Sequence, residues 1–217
     1  MSEIILKAAE VAARLSEYLI IDARSREEYE KAHIAGAVFL PGNQHLKSGD
    51  VMMSQDEFEA LMRSVGAENN SKILVYDDGN GRNPSRFWFV ARHYGHDDVF
   101  VLDGGWPAIG GLPQSADVPQ IAPTNYVAGF ADGFITTVHR IVENYGKIKL
   151  LDVRTADEYA GRNLMDNPRG GHIPGAVNVD FNELLSPDAD KYFVPHDNIN
   201  FMMTSVGISK DDFIVPY

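Results

Sequence analysis

The 217-residue sequence contains no cysteine. This absence excludes disulfide bonds and every thiol mechanism from the residues present, and it fits a reducing cytoplasm. The sequence also has no apolar run of about 18 residues, so we expect no membrane span and no membrane partner. The first residues mix acidic and basic side chains, unlike a signal peptide. Together these features predict a cytoplasmic globular protein.

Positive charge is in the minority, with 19 Lys and Arg against 31 Asp and Glu and a net charge of −12. An acidic surface repels phosphate backbones, so we expect no nucleic-acid partner. The seven histidines show neither an HExxH motif nor a ligand cluster. For His93 and His96 in "RHYGH" we predict a place at the surface or at a helix end rather than a metal site.

The sequence contains an internal repeat. Residues 5–29 align without a gap on residues 135–159, where "DAR" meets "DVR" and "EY" meets "EY". After a nine-residue insertion, "HIAGAV" meets "HIPGAV", and "SVGAENNSKILVY" later meets "SVGISKDDFIVPY". The sequence therefore predicts two homologous units.

Each unit alternates helical and strand patterns. Short apolar strands without strict alternation predict a parallel sheet with helices on both faces, which is an α/β fold. In the first unit the predicted helices are 6–17, 25–33, 54–66 and 83–95, and the predicted strands are 18–22, 37–41, 72–77 and 98–105. Ser25 with Glu28, and Ser54 with Glu57, have the spacing of capping boxes.

A segment rich in Pro, Gly, Ser and Asn separates the units. We predict a first domain at 1–112, a linker at 113–124, and a second domain at 125–217 that is incomplete at its C-terminus.

Three loops of the first unit follow strand ends, where ligands of parallel sheets gather: 20–24, 74–82 and 101–106. The glycine-containing loop between Tyr76 and Arg82 precedes a helix. Its backbone amides are placed to form an anion-binding nest, which is a weak signal taken alone.

The pattern D-x-R, E-Y and H-I-x-G-A, followed by an apolar strand, a short loop and "VLDGGW", resembles the rhodanese fold. Two copies in one chain resemble the tandem thiosulfate and 3-mercaptopyruvate sulfurtransferases, over essentially the whole sequence. Ile109 departs from the family, which usually has Trp there.

The resemblance implies that a cysteine after the last strand of the second domain takes a sulfane sulfur from a small anionic donor. The resulting persulfide passes the sulfur to a thiophilic acceptor such as cyanide, without metal or organic cofactor. In the first unit the corresponding position is Asp77, so that unit is predicted inactive. In the second unit it would be position 218, one residue past Tyr217, so this chain is predicted inactive as well.

The resemblance also implies site residues. It assigns catalytic assistance to Asp22 and His33, although a structural role for both was an open alternative. It makes Arg154 a residue that binds the anionic donor. Arg162 and Arg169, in the insertion, are further candidates for donor binding because they add positive charge near that site.

Other interpretations stay open. The sequence stops at Tyr217 either because it is part of a longer protein, or through natural truncation or proteolysis; a natural stop favours a non-catalytic binding or regulatory module. If nothing follows Tyr217, exposed apolar edges predict a dimer, a domain swap or partial disorder. A related phosphatase type is disfavoured, because only four residues separate Asp77 from Arg82 and that type needs a longer loop.

Overall fold

The computed structural model describes residues 4–40, 47–48, 51–187 and 192–217. The chain divides into two compact units, unit 1 (Met1–Phe134) and unit 2 (Ile135–Tyr217). Both are α/β units built on a parallel sheet.

Unit 1 contains a five-stranded parallel sheet in the order β1-β8-β7-β2-β4. Its strands are β1 (Ile5–Leu6), β2 (Tyr18–Asp22), β4 (Val38–Phe39), β7 (Lys72–Tyr76) and β8 (Val99–Leu102). Two small antiparallel pairs accompany the sheet: β3 (His33–Ile34) with β9 (Gln114–Ser115), and β5 (Lys47–Ser48) with β6 (Val51–Met52).

Among the described residues of unit 1, four α-helices connect these strands: α1 (Ala8–Val11), α2 (Arg26–Lys31), α3 (Gln55–Ser64) and α4 (Arg82–His93). Short 3₁₀ helices cover Ala12–Glu17 and Trp106–Ala108. The predicted capping box of α3 is confirmed, since Ser54 accepts from the Glu57 amide and the Glu57 carboxylate accepts from the Ser54 amide. At α2 the N-cap Ser25 is confirmed, whereas the Glu28 carboxylate pairs with Lys31.

The helix predicted over 6–17 is partly wrong. Leu6 belongs to β1 and aligns with Leu102 of β8, so helical structure begins only at Ala8. Leu6 is 5% exposed and packs in the core of unit 1. Completing the sheet edge therefore outweighs the helical periodicity of the first residues.

The segment after "VLDGGW", up to Phe134, belongs to unit 1. Part of the predicted linker, Gln114–Ser115, pairs with β3. Further on, Tyr126 is buried edge-on to Phe58, with ring centroids 6.0 Å apart, and the Gly129 amide donates to the Tyr94 carbonyl at 3.0 Å. The predicted domain boundaries at 112 and 125 stay predictions, while the first compact unit ends at Phe134.

Unit 2 has a three-stranded parallel sheet in the order β11-β10-β12. Its elements are α5 (Val138–Glu143), β10 (Lys149–Asp152), α6 (Ala156–Tyr159), β11 (Val177–Asn178), α7 (His196–Ser205) and β12 (Ile214–Pro216). A 3₁₀ helix covers Phe181–Leu184.

The three strands of the unit 2 sheet, β11-β10-β12, have the order and register of β4-β2-β7 in unit 1. In unit 1, Leu19 aligns with Ile73 and Asp22 with Phe39. At the repeat-equivalent positions of unit 2, Lys149 aligns with Ile214 and Asp152 with Asn178. The duplication seen in the sequence is therefore a duplication of backbone structure.

Candidate functional site

In unit 1 a buried ion pair lies at the carboxyl end of β2. Arg24 donates from Nε to Asp22 Oδ1 at 3.0 Å and from Nη2 to Asp22 Oδ2 at 2.6 Å. Tyr76, which ends β7, donates its hydroxyl to Asp22 Oδ2 at 2.5 Å and accepts from the Ile34 amide at 3.2 Å. Because these bonds join neighbouring strand ends, the D-x-R motif, the terminal tyrosine and the "HIAGA" turn form one network.

Aromatic rings cover the Arg24 guanidinium. Its Cζ lies 3.9 Å from the Trp106 ring centroid and 5.6 Å from that of Tyr76. The Arg24 side chain is only 3% exposed. Burial opposes its charge, but the bonds to Asp22 outweigh burial and raise the pKa of Arg24 above its usual value. Arg24 is therefore sealed from solvent.

His33 lies behind the same turn. Its ring stacks on Tyr29 with centroids 4.1 Å apart, while Nδ1 contacts the Tyr29 carbonyl at 2.8 Å and Nε2 contacts the Asp117 carbonyl at 3.2 Å. Both His33 and Asp22 are fully buried. This geometry supports the structural alternative for both residues, and their catalytic assistance stays a prediction.

Unit 2 contains the same network. Arg154 donates from Nε to Asp152 Oδ1 at 3.0 Å and from Nη2 to Asp152 Oδ2 at 2.5 Å. The Tyr217 hydroxyl accepts from the Ile173 amide at 3.0 Å and interacts with the Asp152 carboxylate. Burial raises the pKa of Asp152, but the bonds from Arg154 and Tyr217 outweigh burial and hold it below its usual value. The Asn178 side chain donates to the carbonyl of Arg154 at 2.8 Å and steadies its backbone.

Arg154 is the more accessible of the two equivalent arginines. Its side chain is 31% exposed, against 3% for Arg24. Nη2 also donates to the Gly171 carbonyl at 2.9 Å. Arg154 is thus held rigidly along one edge of its guanidinium. The edge that carries Nη1 has no hydrogen-bond partner among the described residues.

The histidine of the second turn repeats the first in a more open setting. His172 stacks on Tyr159 with centroids 3.7 Å apart, and its Nδ1 contacts the Tyr159 carbonyl at 2.8 Å. Unlike His33, His172 is exposed. Because the stacking and the Nδ1 contact recur, we infer that His33 and His172 help to shape the turns "HIAGA" and "HIPGA".

The two arginines of the insertion differ. Arg162 pairs with Asp157 at 2.6 Å, and both side chains are 65% exposed. Arg169 is exposed, and within the described part of the chain its guanidinium has no ion pair. Of the two, only Arg169 adds an uncompensated positive charge.

Asp77 occupies the position that the repeat assigns to the nucleophile. Its Oδ1 accepts from the amides of Gly79 and Gly81 at 2.9 and 3.2 Å. The side chain is buried, and burial raises the pKa of Asp77 against the opposing effect of these amides. Two amides of this loop therefore bind an anionic group, which is the chain's own carboxylate.

Sequence reasoning missed the two tyrosines, Tyr76 and Tyr217, that tie Asp22 and Asp152 to the turns. Their signal was present, because "ILVY" and "IVPY" end on tyrosine at equivalent positions of the repeat. It also missed Trp106 as the cover of an arginine.

His93 and His96 were predicted at the surface or at a helix end. His93 does end α4, but both residues are buried, with 6% and 2% exposed. Across the described ranges, His, Asp and Glu side chains form no group that could hold a metal ion. No helix in those ranges is long and apolar enough to span a bilayer.

The family described as "Rhodanese-like domain" matches residues 7–111 and 136–216. The chain is 31% identical over 208 residues to the sulfur carrier protein TtuD of Thermus thermophilus, covering 87% of this chain and 72% of that protein. It is 30% identical over 197 residues to thiosulfate sulfurtransferase of Gallus gallus, covering 86% and 68%. The crystal structure of SseA, a 3-mercaptopyruvate sulfotransferase of Escherichia coli, superposes with a TM-score of 0.86 at 25% identity, covering 99% of this chain and 88% of that one.

Proposed function

The chain belongs to the rhodanese-like family, and on that premise we propose that the protein is a sulfurtransferase. Its donor is thiosulfate or 3-mercaptopyruvate, and its acceptor is a thiophile such as cyanide. The relatives named for thiosulfate and 3-mercaptopyruvate support both donors equally.

The nucleophile of the proposed reaction is a cysteine following Tyr217 in a polypeptide that continues beyond it. Its thiolate attacks the sulfane sulfur of thiosulfate, so a new S–S bond forms while the donor S–S bond breaks and sulfite leaves with the electron pair. Cyanide then attacks the outer sulfur of the persulfide, releasing thiocyanate and restoring the thiolate. No metal or organic cofactor takes part.

The observation that carries the proposal is the fixed orientation of the Arg154 guanidinium beside Tyr217, the residue that precedes the proposed cysteine. The Asp152 carboxylate and the Gly171 carbonyl fix one side of the guanidinium, and Nη1 remains available in a partly exposed setting. A pre-oriented guanidinium matches an anionic oxygen of the donor and loses little conformational freedom on binding. Arg24 cannot serve this purpose, because Trp106 covers it.

The test compares the 217-residue chain with one extended by its natural downstream sequence. We expect cyanide-dependent thiocyanate formation only from the extended chain, since the shorter chain contains no cysteine. Activity in the 217-residue chain would refute the cysteine assignment.

In the extended chain, Arg154→Gln should raise KM for thiosulfate by about 10- to 100-fold, because a hydrogen bond to a charged group contributes about 1.5–3 kcal/mol. Arg140→Gln, which removes an exposed arginine of α5, is the matched control and should leave KM unchanged. An unchanged KM in Arg154→Gln would remove Arg154 from the donor site.

Arg162 and Arg169 are proposed as auxiliary donor-binding residues that act through long-range attraction. Because exposed charges are screened by salt, Arg169→Gln should raise KM by on the order of twofold at low ionic strength and have no effect at 0.5 M salt. Arg162→Gln should have the smaller effect, since Asp157 already compensates its charge.

A second candidate is a non-catalytic binding or regulatory module, favoured by the carboxylate that fills the loop of unit 1. An intact mass of the natural protein and the nucleotide sequence after codon 217 separate the two candidates. A stop codon there supports the module.

The proposal includes a cytoplasmic location, supported by the lack of cysteine for disulfides. For a polypeptide ending at Tyr217 it also includes self-association or a domain swap. Val138 and Phe201 of unit 2 are 77% and 74% exposed, and such side chains favour association. Sedimentation showing an ordered monomer of 24.0 kDa would contradict the association.

A further inference from the structure

The loop that follows β7 has the geometry of an oxyanion site. The amides of Gly79 and Gly81 converge on one oxygen, and both glycines have positive φ, 95° and 69°. The loop leads into α4, a helix of 12 residues whose N-terminus carries partial positive charge. Successive inward-facing amides at a helix start are a recurrent binding site for phosphate, sulfate and carboxylate groups.

Asp77 occupies this site, and only one of its two carboxylate oxygens accepts hydrogen bonds from described residues. Asp77 is 1% exposed, and its Oδ2 is buried without a hydrogen-bond partner among the described residues. A buried carboxylate oxygen without a donor is unfavourable compared with one in water. The loop therefore holds this carboxylate at a cost in desolvation.

The backbone of Asp77 is fixed in place from the side of the loop after β8. The Trp106 amide donates to the Asp77 carbonyl at 2.7 Å. Gly105 approaches so closely that a Cβ there would lie 2.5 Å from the same carbonyl oxygen. These two contacts restrain the main chain at Asp77, while the amides of Gly79 and Gly81 hold its carboxylate.

We infer that Asp77 is an intramolecular ligand occupying an oxyanion-binding site in unit 1, and that it prevents this unit from binding free tetrahedral oxyanions such as sulfate or thiosulfate. The exclusion of the donor from unit 1 rests on the proposed function, whereas the oxyanion site does not. Carboxylate and incoming anion would compete for the same amides, and their charges would repel each other. The consequence is that the anionic donor meets one competent unit instead of two.

The experiment uses the 217-residue chain and the backbone amide resonances of Gly79 and Gly81. Sodium sulfate is titrated against sodium chloride at equal ionic strength into the native chain, Asp77→Ala and Asp77→Ser. We expect saturable sulfate-specific shifts in both variants and at least tenfold weaker binding, or no saturation, in the native chain. The matched control is Asp78→Ala, which removes an exposed carboxylate one residue away and leaves the site filled; it should behave like the native chain.

Native-like spectra without a saturable shift in either variant would overturn the inference, as would equal sulfate binding by the native chain. If both variants fail to fold, sulfate should restore folding where chloride does not, and failure to restore it would also refute the site. Because the resonances report on unit 1 alone, a negative result would not affect the conclusion drawn from the Arg154 assay. Likewise, a negative result in the Arg154 assay would not contradict the oxyanion site in unit 1.

Discussion

Removing the hydroxyl of Tyr76 is the sharpest test of the buried network. In Tyr76→Phe the ring remains to stack on Trp106, so packing changes little. The hydroxyl bonds to the Asp22 carboxylate and from the Ile34 amide are both lost. All three groups are buried, so water cannot replace the missing partner.

The expected loss follows from these two bonds. A hydrogen bond to a charged group contributes about 1.5–3 kcal/mol, and leaving a buried amide unsatisfied costs about 1–3 kcal/mol. Because the two effects share one hydroxyl and are not additive, we expect unit 1 to lose about 3 kcal/mol of unfolding free energy. With a urea dependence of about 2 kcal/mol/M, the unfolding midpoint falls by about 1.5 M.

The assay is urea denaturation followed by tryptophan fluorescence. Both tryptophans, Trp88 and Trp106, lie in unit 1, so fluorescence reports on that unit. The repeat supplies the control: Tyr217→Phe removes the equivalent hydroxyl from unit 2, where Tyr217 is partly exposed. Its loss, followed by circular dichroism, should be about 1 kcal/mol, because Tyr217 and Ile173 are partly exposed and water can reach the freed amide, while the buried Asp152 carboxylate keeps its bonds from Arg154.

A Tyr76→Phe loss below about 1 kcal/mol would refute the argument from buried hydrogen bonds. Equal losses in the two variants would show that burial does not set the difference. A changed urea dependence would instead indicate an altered unfolded or folded ensemble.

Burial lowers the pKa of His93 and of His96, so protonation favours the unfolded state. The unfolding free energy should therefore be highest above about pH 6.5 and fall as the pH drops below that value. His93→Gln should reduce this fall, whereas the exposed His139→Gln should not. Urea unfolding midpoints at about pH 7.5 and 5.5 measure the fall in each variant. Gly105→Ala and Gly110→Ala place a Cβ at nearly equal φ, 56° and 57°, but only the first meets atoms closer than 3 Å. We expect a loss of about 1 kcal/mol for Gly110→Ala and of more than 3 kcal/mol for Gly105→Ala by thermal unfolding, and similar losses would contradict the contact argument.

Much of the fold could be predicted from the sequence. Two aligned copies of one pattern indicate two homologous units, and the registers of β2 and β10 match at equivalent positions. Ser54 with Glu57 marked the start of a helix, because capping depends on residues three apart. These features are local or repeated, so neighbouring residues are enough to specify them.

The difference between the two arginines could not be predicted in this way. Arg24 and Arg154 sit in identical D-x-R motifs and make the same bonds to their aspartates. Trp106, from a distant loop, covers the first, whereas no residue of the described part of unit 2 covers the second in the same way. The filled oxyanion site likewise needed the loop geometry around Asp77. Burial and long-range contact decide which copy of a motif can meet a ligand, because accessibility depends on what the rest of the chain places over it.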